Sequence, residues 1–249
     1  MLDPAAPQLV VNARVLLVSW LPADPDAVAA LVPAGLRPHP DRQVFLCQYE
    51  VDDESQTSGF GAYSLTYLGV SLADLQPPGG DTPGGWWTHY LASSALVRDY
   101  AAARGAPAAA GQTSVEVRRG MLSTQTRAAD GTPLIRVRGG VGQTTHVSHS
   151  GHHRYVTARD GELLVADYPY VAEPVSPFEI ESVEFLAPEH SAYPLRPANP
   201  LTIAWGFYAP RLSFAYPGQS APDGAPPEPV AAGHQVPARR ARSGLPSGS

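Results

Sequence analysis

The sequence predicts a mainly β protein of the α+β class, an antiparallel β-barrel carrying a few flanking helices. Three observations carry that expectation. Pro (27) and Gly (23) are abundant in 249 residues and only 16% of residues are charged, a composition suited to short strands and many turns. From Gly111 onward, short alternating segments recur with turn residues between them. Helical signals are confined to two stretches near the N-terminal side. A barrel of this length forms a single domain, expected here over residues 1–217. Residues 218–249 turn to Pro, Ala, Gly and Ser with Arg239, Arg240 and Arg242, which is the composition of a disordered tail.

Residues 10–20 read as the first strand. Asp24 can cap a short helix with Pro25 at its first position, stopped by Pro33. Val44–Val51 and Phe60–Leu68 read as strands. A Pro/Gly-rich loop spans Gln76–Gly85. A longer helix is expected over His89–Arg104, with Thr88 as cap and Leu91, Ala95, Leu96 and Tyr100 at helical spacing. Gly105 and Pro107 end it. The strand series then runs Thr113–Arg119, Met121–Arg127, Leu134–Val141, Arg154–Thr157, Glu162–Tyr170, Phe178–Leu186 and Leu201–Tyr208. Asp130-Gly131 and Asp160-Gly161 mark hairpins.

The formal net charge is -6, and the one cluster of arginines lies in the tail, so nucleic acid is not an expected partner. No apolar run is long enough for a signal peptide or a membrane span. Cys47 is the sole cysteine, which fits a reducing, cytoplasmic setting. All 17 residues of the Lys+Arg count are arginine; the chain contains no lysine.

The order of these elements, with three short motifs, resembles the acetoacetate decarboxylase superfamily over roughly residues 10–215. The motifs are Leu31-Val-Pro-Ala-Gly-Leu36, Gly61-Ala-Tyr63 and Arg104-Gly-Ala-Pro107. In that family a lysine after Gly-x-Pro forms a Schiff base with a ketone, and a glutamate follows the Gly-x-Tyr strand. Here Ala108 and Ala109 follow Pro107, and Leu65 holds the glutamate position. An alanine methyl cannot form an imine. The resemblance therefore implies the family's barrel without its Schiff-base reaction, no cofactor, and a homo-oligomer.

Candidate residues follow from strand alternation. Glu116 and Arg118 share one face of their strand, and Arg136 and Arg138 share a face of another. Pointing inward, they would offer a carboxylate for proton transfer and guanidiniums for a substrate anion; pointing outward, they form cross-strand ion pairs. Tyr63 and Tyr67 can donate to a carbonyl oxygen or serve as core tyrosines. Trp86 and Trp87 suit a lid over an apolar ligand, a core anchor or a subunit contact. Tyr208, beside Trp205, Phe207 and Arg211, can close the pocket. His146, His149, His152 and His153 cluster without an interleaved Cys or acid, so no metal is expected of them. Cys47, in an apolar strand, reads as a buried thiol.

The expected activity is an enzyme of secondary, polyketide-like metabolism acting on a keto or enol substrate by cyclisation, dehydration, isomerisation or a pericyclic step. Its proton-handling groups are Tyr63, Glu116, Arg118 and Arg136; its substrate contacts are Tyr67, Trp86, Trp87 and Tyr208. The alternatives are a non-catalytic small-molecule binder on a retired barrel and a structural subunit joined through Trp86 and Trp87.

Overall fold

The computed structural model describes residues 2–80, 82–143, 145–217 and 221–222. In chain order the elements are β1 (Gln8–Trp20), α1 (Pro25–Ala29), β2 (Val44–Val51), β3 (Tyr63–Leu72), β4 (Gly84–Ala92), α2 (Ala95–Ala102), β5 (Ala108–Arg118), β6 (Met121–Ala128), β7 (Pro133–Val141), β8 (His149–Arg159), β9 (Glu162–Ala172), β10 (Phe178–Phe185), β11 (Ile203–Tyr216) and β12 (Ala221–Pro222). The rest of the expected tail lies outside the described residues.

Seven strands close into a ring in the order β1-β2-β3-β4-β8-β9-β11, and β11 returns to β1. All neighbours are antiparallel except β4 and β8, which pair in parallel at Gly85 with Tyr155 and Trp86 with Val156. β5 leaves the ring. Its first residues pair in parallel with Tyr90–Ala92, and the chain then builds an antiparallel sheet, β5-β6-β7-β10, over the barrel wall.

Two cores result. Inside the ring sit Leu17, Phe45, Cys47, Tyr49, Tyr63 and Tyr67 with many further aromatic rings. Between the ring and the outer sheet sit Leu16, Val18, Leu46, Leu68, Val115 and Ile135. Strands β1–β3 therefore bury both faces, which is why Val15-Leu-Leu-Val-Ser-Trp20 and Val44-Phe-Leu-Cys-Gln-Tyr-Glu-Val51 are nearly continuous apolar runs. A fully buried leucine such as Leu46 contributes about 1.5–3 kcal/mol.

Turn chemistry sets the hairpins. Asp160-Gly161 joins Arg159 to Glu162 with φ of 53° and 84°, and Arg119-Gly120 joins Arg118 to Met121 with φ of 54° and 79°. Positive φ at both central residues is the type I′ requirement. The early helix is as expected: the Asp24 carboxylate accepts from Ala27 N at 3.0 Å, with Pro25 in the first turn.

The expected helix over His89–Arg104 is corrected. Residues Gly84–Ala92 form β4, Ser94 rather than Thr88 caps the helix, and the helix is only Ala95–Ala102. Trp86, Trp87, Thr88 and Tyr90 are strand formers, and here they find strand partners in β3, β8 and the start of β5. The helix that remains seats Val97, Tyr100 and Ala101 on the barrel core.

Candidate functional site

Alternation around the ring sends a set of rings to its axis, where they enclose a cavity of about 40 Å³. β2 contributes Cys47 and Tyr49, and β3 contributes Tyr67. β4 contributes both Trp87 and Tyr90, three residues apart. A register shift opposite Leu68 and Gly69 turns the strand so that both face inward. His153, Tyr155, Tyr168 and Tyr170 arrive from the β8–β9 hairpin, and Phe207, Phe214 and Tyr216 from β11.

The hydroxyls inside the barrel pair with one another. Tyr216 Oη lies 2.6 Å from Tyr49 Oη and 2.9 Å from Tyr90 Oη, and Tyr49 Oη lies 2.9 Å from Tyr63 Oη. Tyr67 and Tyr155 pair at 2.8 Å. Burial raises the pKa of each of these phenols and pushes the Cys47 thiol up to about 12, against a hydrogen bond with Tyr67 that lowers it. Burial drives His153 down to about 3, helped by the neighbouring His149 and His152. The lining groups are thus neutral at pH 7. Arg104 is buried beside the cavity: its guanidinium donates to Pro4 O at 3.0 Å and interacts with Tyr168, whose phenol is raised by burial and pulled back by that cation.

Two ring nitrogens of the lining, Trp87 Nε1 and His153 Nε2, are buried without a hydrogen-bond partner, as is Trp205 Nε1 nearby. His153 stacks on Tyr170 with centroids 4.4 Å apart and planes 5° apart; Phe207 and Trp205 lie nearly parallel to it at 14° and 21°. An unpartnered buried N–H costs about 1–3 kcal/mol. Chemically the arrangement offers a fixed donor (Trp87), a neutral imidazole for taking or giving a proton (His153) and phenols that can polarise an oxygen.

The expected site residues divide. Tyr63, Tyr67 and Trp87 lie in the barrel core, and Tyr67 and Trp87 line the cavity. Glu116 and Arg118 do not face inward: they form a solvent-exposed pair at 2.9 Å on the outer sheet. Arg136 pairs across strands with Glu184 at 3.4 Å on that same sheet. The reason is that β5 leaves the ring after its first residues, so its later positions alternate between solvent and the second core. Tyr208 is buried but belongs to the second core. Trp86 lies in β4 rather than in a lid and is only partly buried. Of the histidines, His149 Nε2 lies 2.9 Å from Tyr170 Oη and His152 is exposed. Among the described residues no three His, Cys, Asp or Glu side chains converge as metal ligands would. The sequence reading passed over Tyr49, Tyr90, Tyr155, Tyr168, Tyr170 and Tyr216 as site residues. For Tyr155, Tyr168 and Tyr170 the signal was the i, i+2 spacing of His153 with Tyr155 and of Tyr168 with Tyr170.

No protein-family model matches the chain, and no curated protein matches its sequence. Solved structures do match its fold. An acetoacetate decarboxylase-like enzyme from Sphingomonas wittichii RW1 superposes with a TM-score of 0.59 at 15% identity, over 88% of this chain and 93% of that one. The chain has the acetoacetate decarboxylase-like fold. An acetoacetate decarboxylase aligns with a TM-score of 0.58 at 14% identity, covering 87% and 90% of the two chains. The enduracididine biosynthesis enzyme MppR, complexed with the condensation product of pyruvate and imidazole 4-carboxaldehyde, aligns at 0.54 and 12% identity over 84% and 86%. No helix among the described residues is long and apolar enough to cross a membrane.

Proposed function

We propose that this acetoacetate decarboxylase-like barrel is a small-molecule enzyme of secondary metabolism that works without a Schiff base, on a keto or enol substrate held in the ring. The observation that carries the reading is the interior itself: a cavity walled by rings in which Trp87 Nε1 and His153 Nε2 are left unpartnered. The chain has no lysine, so no side-chain imine can form. The chemistry within reach is proton transfer. The imidazole of His153 removes a proton from the carbon beside a carbonyl, whose oxygen draws the electron pair as an enolate held by a phenol or by Trp87 N–H; that enolate is the counter-charge that lets the imidazole, neutral in the empty cavity, hold the proton. The same proton returns at another atom, giving an isomer, or leaves with a hydroxide as water. Ring closure of a polyketide-like chain follows the same course, with the cavity fixing the reacting conformer. The exposed pair Glu116–Arg118 and the outer-sheet Arg136 have no part in this version. A homo-oligomer and a cytoplasmic setting accompany the proposal on the strength of the family resemblance and the single cysteine.

A second reading is a non-catalytic binder on the same scaffold, favoured by a lining that contains no ionised acid or base. Comparative mass spectrometry of metabolites from the source organism with and without the gene separates the two. The enzyme reading expects loss of a product and accumulation of a compound isomeric with it or heavier by one water. An unchanged product at altered level refutes the enzyme and supports the binder.

A further inference from the structure

The cavity's walls restrict what it can hold. Its fifteen lining residues comprise seven tyrosines, two phenylalanines, a tryptophan, a histidine, a cysteine, a valine and two leucines. None carries a formal charge at neutral pH, and burial holds Cys47, His153 and the phenols in their neutral forms. A carboxylate entering here would shed its water without meeting a counter-charge, and burying an unpaired charge costs far more than burying a polar group that is hydrogen-bonded. The buried cation nearby, Arg104, is not among the lining residues and is engaged with Pro4 O and Tyr168.

The shape is equally restrictive. His153, Tyr170 and Phe207 are nearly parallel: 5° between the first two, 14° between His153 and Phe207, and 18° between Tyr170 and Phe207. Tyr67 and Tyr90, also in the lining, are parallel within 10°. Parallel rings favour a flat guest laid against their faces. The polar demand is also specific. Trp87 Nε1–H can only donate, so the guest must present an acceptor to it. His153 Nε2 can accept a hydroxyl proton or donate to an oxygen, according to its tautomer.

We infer that the ligand of this cavity is an uncharged, flat, conjugated oxygen compound, an enone or the enol of a 1,3-dicarbonyl, with one oxygen accepting from Trp87 Nε1–H and a second engaging His153 Nε2. A keto acid is thereby excluded. The inference rests on the proposal that the barrel interior is the working site, and it narrows the substrate to the neutral class. About 40 Å³ accommodates only a small guest without movement of the surrounding rings, so small probes are the right test.

Acetylacetone and acetoacetate contain the same number of non-hydrogen atoms and differ by a methyl group in place of a carboxylate oxygen. Their binding to the full-length protein at pH 7 is to be compared by ligand-observed NMR titration, with His153→Phe and Trp87→Phe, which keep a ring, and Leu212→Trp, which fills the cavity. The expected result is acetylacetone binding at least about tenfold tighter than acetoacetate. Each ring-retaining variant should weaken it two- to tenfold, the range of a single hydrogen bond, and the filled variant should abolish it, with circular dichroism confirming each variant's fold. Acetoacetate binding as tightly as acetylacetone, lost in the filled variant, overturns the neutral class but leaves the barrel as the site. Acetylacetone binding that survives Leu212→Trp overturns both. No binding of either probe, or acetylacetone binding unchanged in both ring-retaining variants, overturns the inference.

Discussion

His153 is partly buried with its Nε2 enclosed, and desolvation of the ring fixes how its ionisation couples to folding. Its folded pKa is about 3 against an ordinary 6.5, so above pH 6.5 neither state binds the proton and stability is insensitive to this group. Between pH 6.5 and about 3 the unfolded chain takes up a proton that the folded chain refuses, and stability falls as pH drops. His89, held by burial and the neighbouring His190 at about 4, works in the same direction. Glu50, raised by burial, works in the opposite direction. Thermal unfolding followed by circular dichroism should therefore show a melting temperature that declines from pH 6.5 to pH 4. His153→Phe should flatten part of that decline, on the order of a few kcal/mol in total. A variant as acid-labile as the parent would mean that His153 protonates in place. Tyr49 poses a related test. Its hydroxyl pairs with both Tyr63 and Tyr216, so Tyr49→Phe leaves buried hydroxyls short of a partner. Urea unfolding should show a loss of about 1–3 kcal/mol with unchanged slope.

Strands β2 and β3 join the two cores, and one polar seam runs between them and the outer sheet. Gln48 Nε2 donates to Thr126 Oγ1 at 2.8 Å, and Thr124 Oγ1 donates to Gln48 Oε1 at 2.5 Å. Thr66 Oγ1 pairs with both Thr113 and Thr126 at 2.6 Å. A seam with its partners in place fixes how the outer sheet registers on the barrel. Gln48→Leu should cost about 1–3 kcal/mol in chemical denaturation, because it leaves the buried Thr124 hydroxyl unpaired and takes from Thr126 one of its two partners; a neutral effect would show that waters or rotated hydroxyls replace it. The inner side of β3 has a steric counterpart. A Cβ on Gly69 would lie 2.1 Å from Trp86 O and 2.3 Å from the Phe45 ring. Gly69→Ala should therefore lower stability by at least about 1–3 kcal/mol, read as a fall in soluble yield and melting temperature. These strands were legible in the sequence because their pattern is local: Val44–Val51 coincides with β2, and Asp160-Gly161 marks its hairpin. β4 was not. Trp86–Tyr90 has spacing compatible with a helix, and what makes it a strand is its pairing with β3 and β8, the latter some 70 residues away. The same non-local cause hid the site. Tyr63, Tyr67 and Trp87 were recognisable as aromatic positions, but that β5 leaves the ring and takes Glu116 and Arg118 to solvent is a fact of topology, not of any strand's own alternation.

At the scale of the whole molecule, ring closure decides what the barrel can do. The β4–β8 pairing completes the circle, α2 seats Tyr100 on the core, and the loop after α2 delivers Ala108 against the inner aromatic cluster. The family resemblance implies a nucleophilic lysine near that place, where this chain has Ala108 and Ala109. This gives a direct test of whether the scaffold or the side chain limits Schiff-base chemistry. A lysine at position 108 would start from a half-buried position against the inner aromatic cluster, and desolvation there would favour its free amine. In Ala108→Lys, that amine should add to the carbonyl of acetone and expel water, and borohydride should then fix the imine as an isopropyl amine. Intact-protein mass spectrometry should show one adduct per chain, mapped to residue 108 by peptide digestion. The parent, with no lysine, should show none in its interior. A folded Ala108→Lys that resists trapping would mean that the packed rings deny ketones access to this wall.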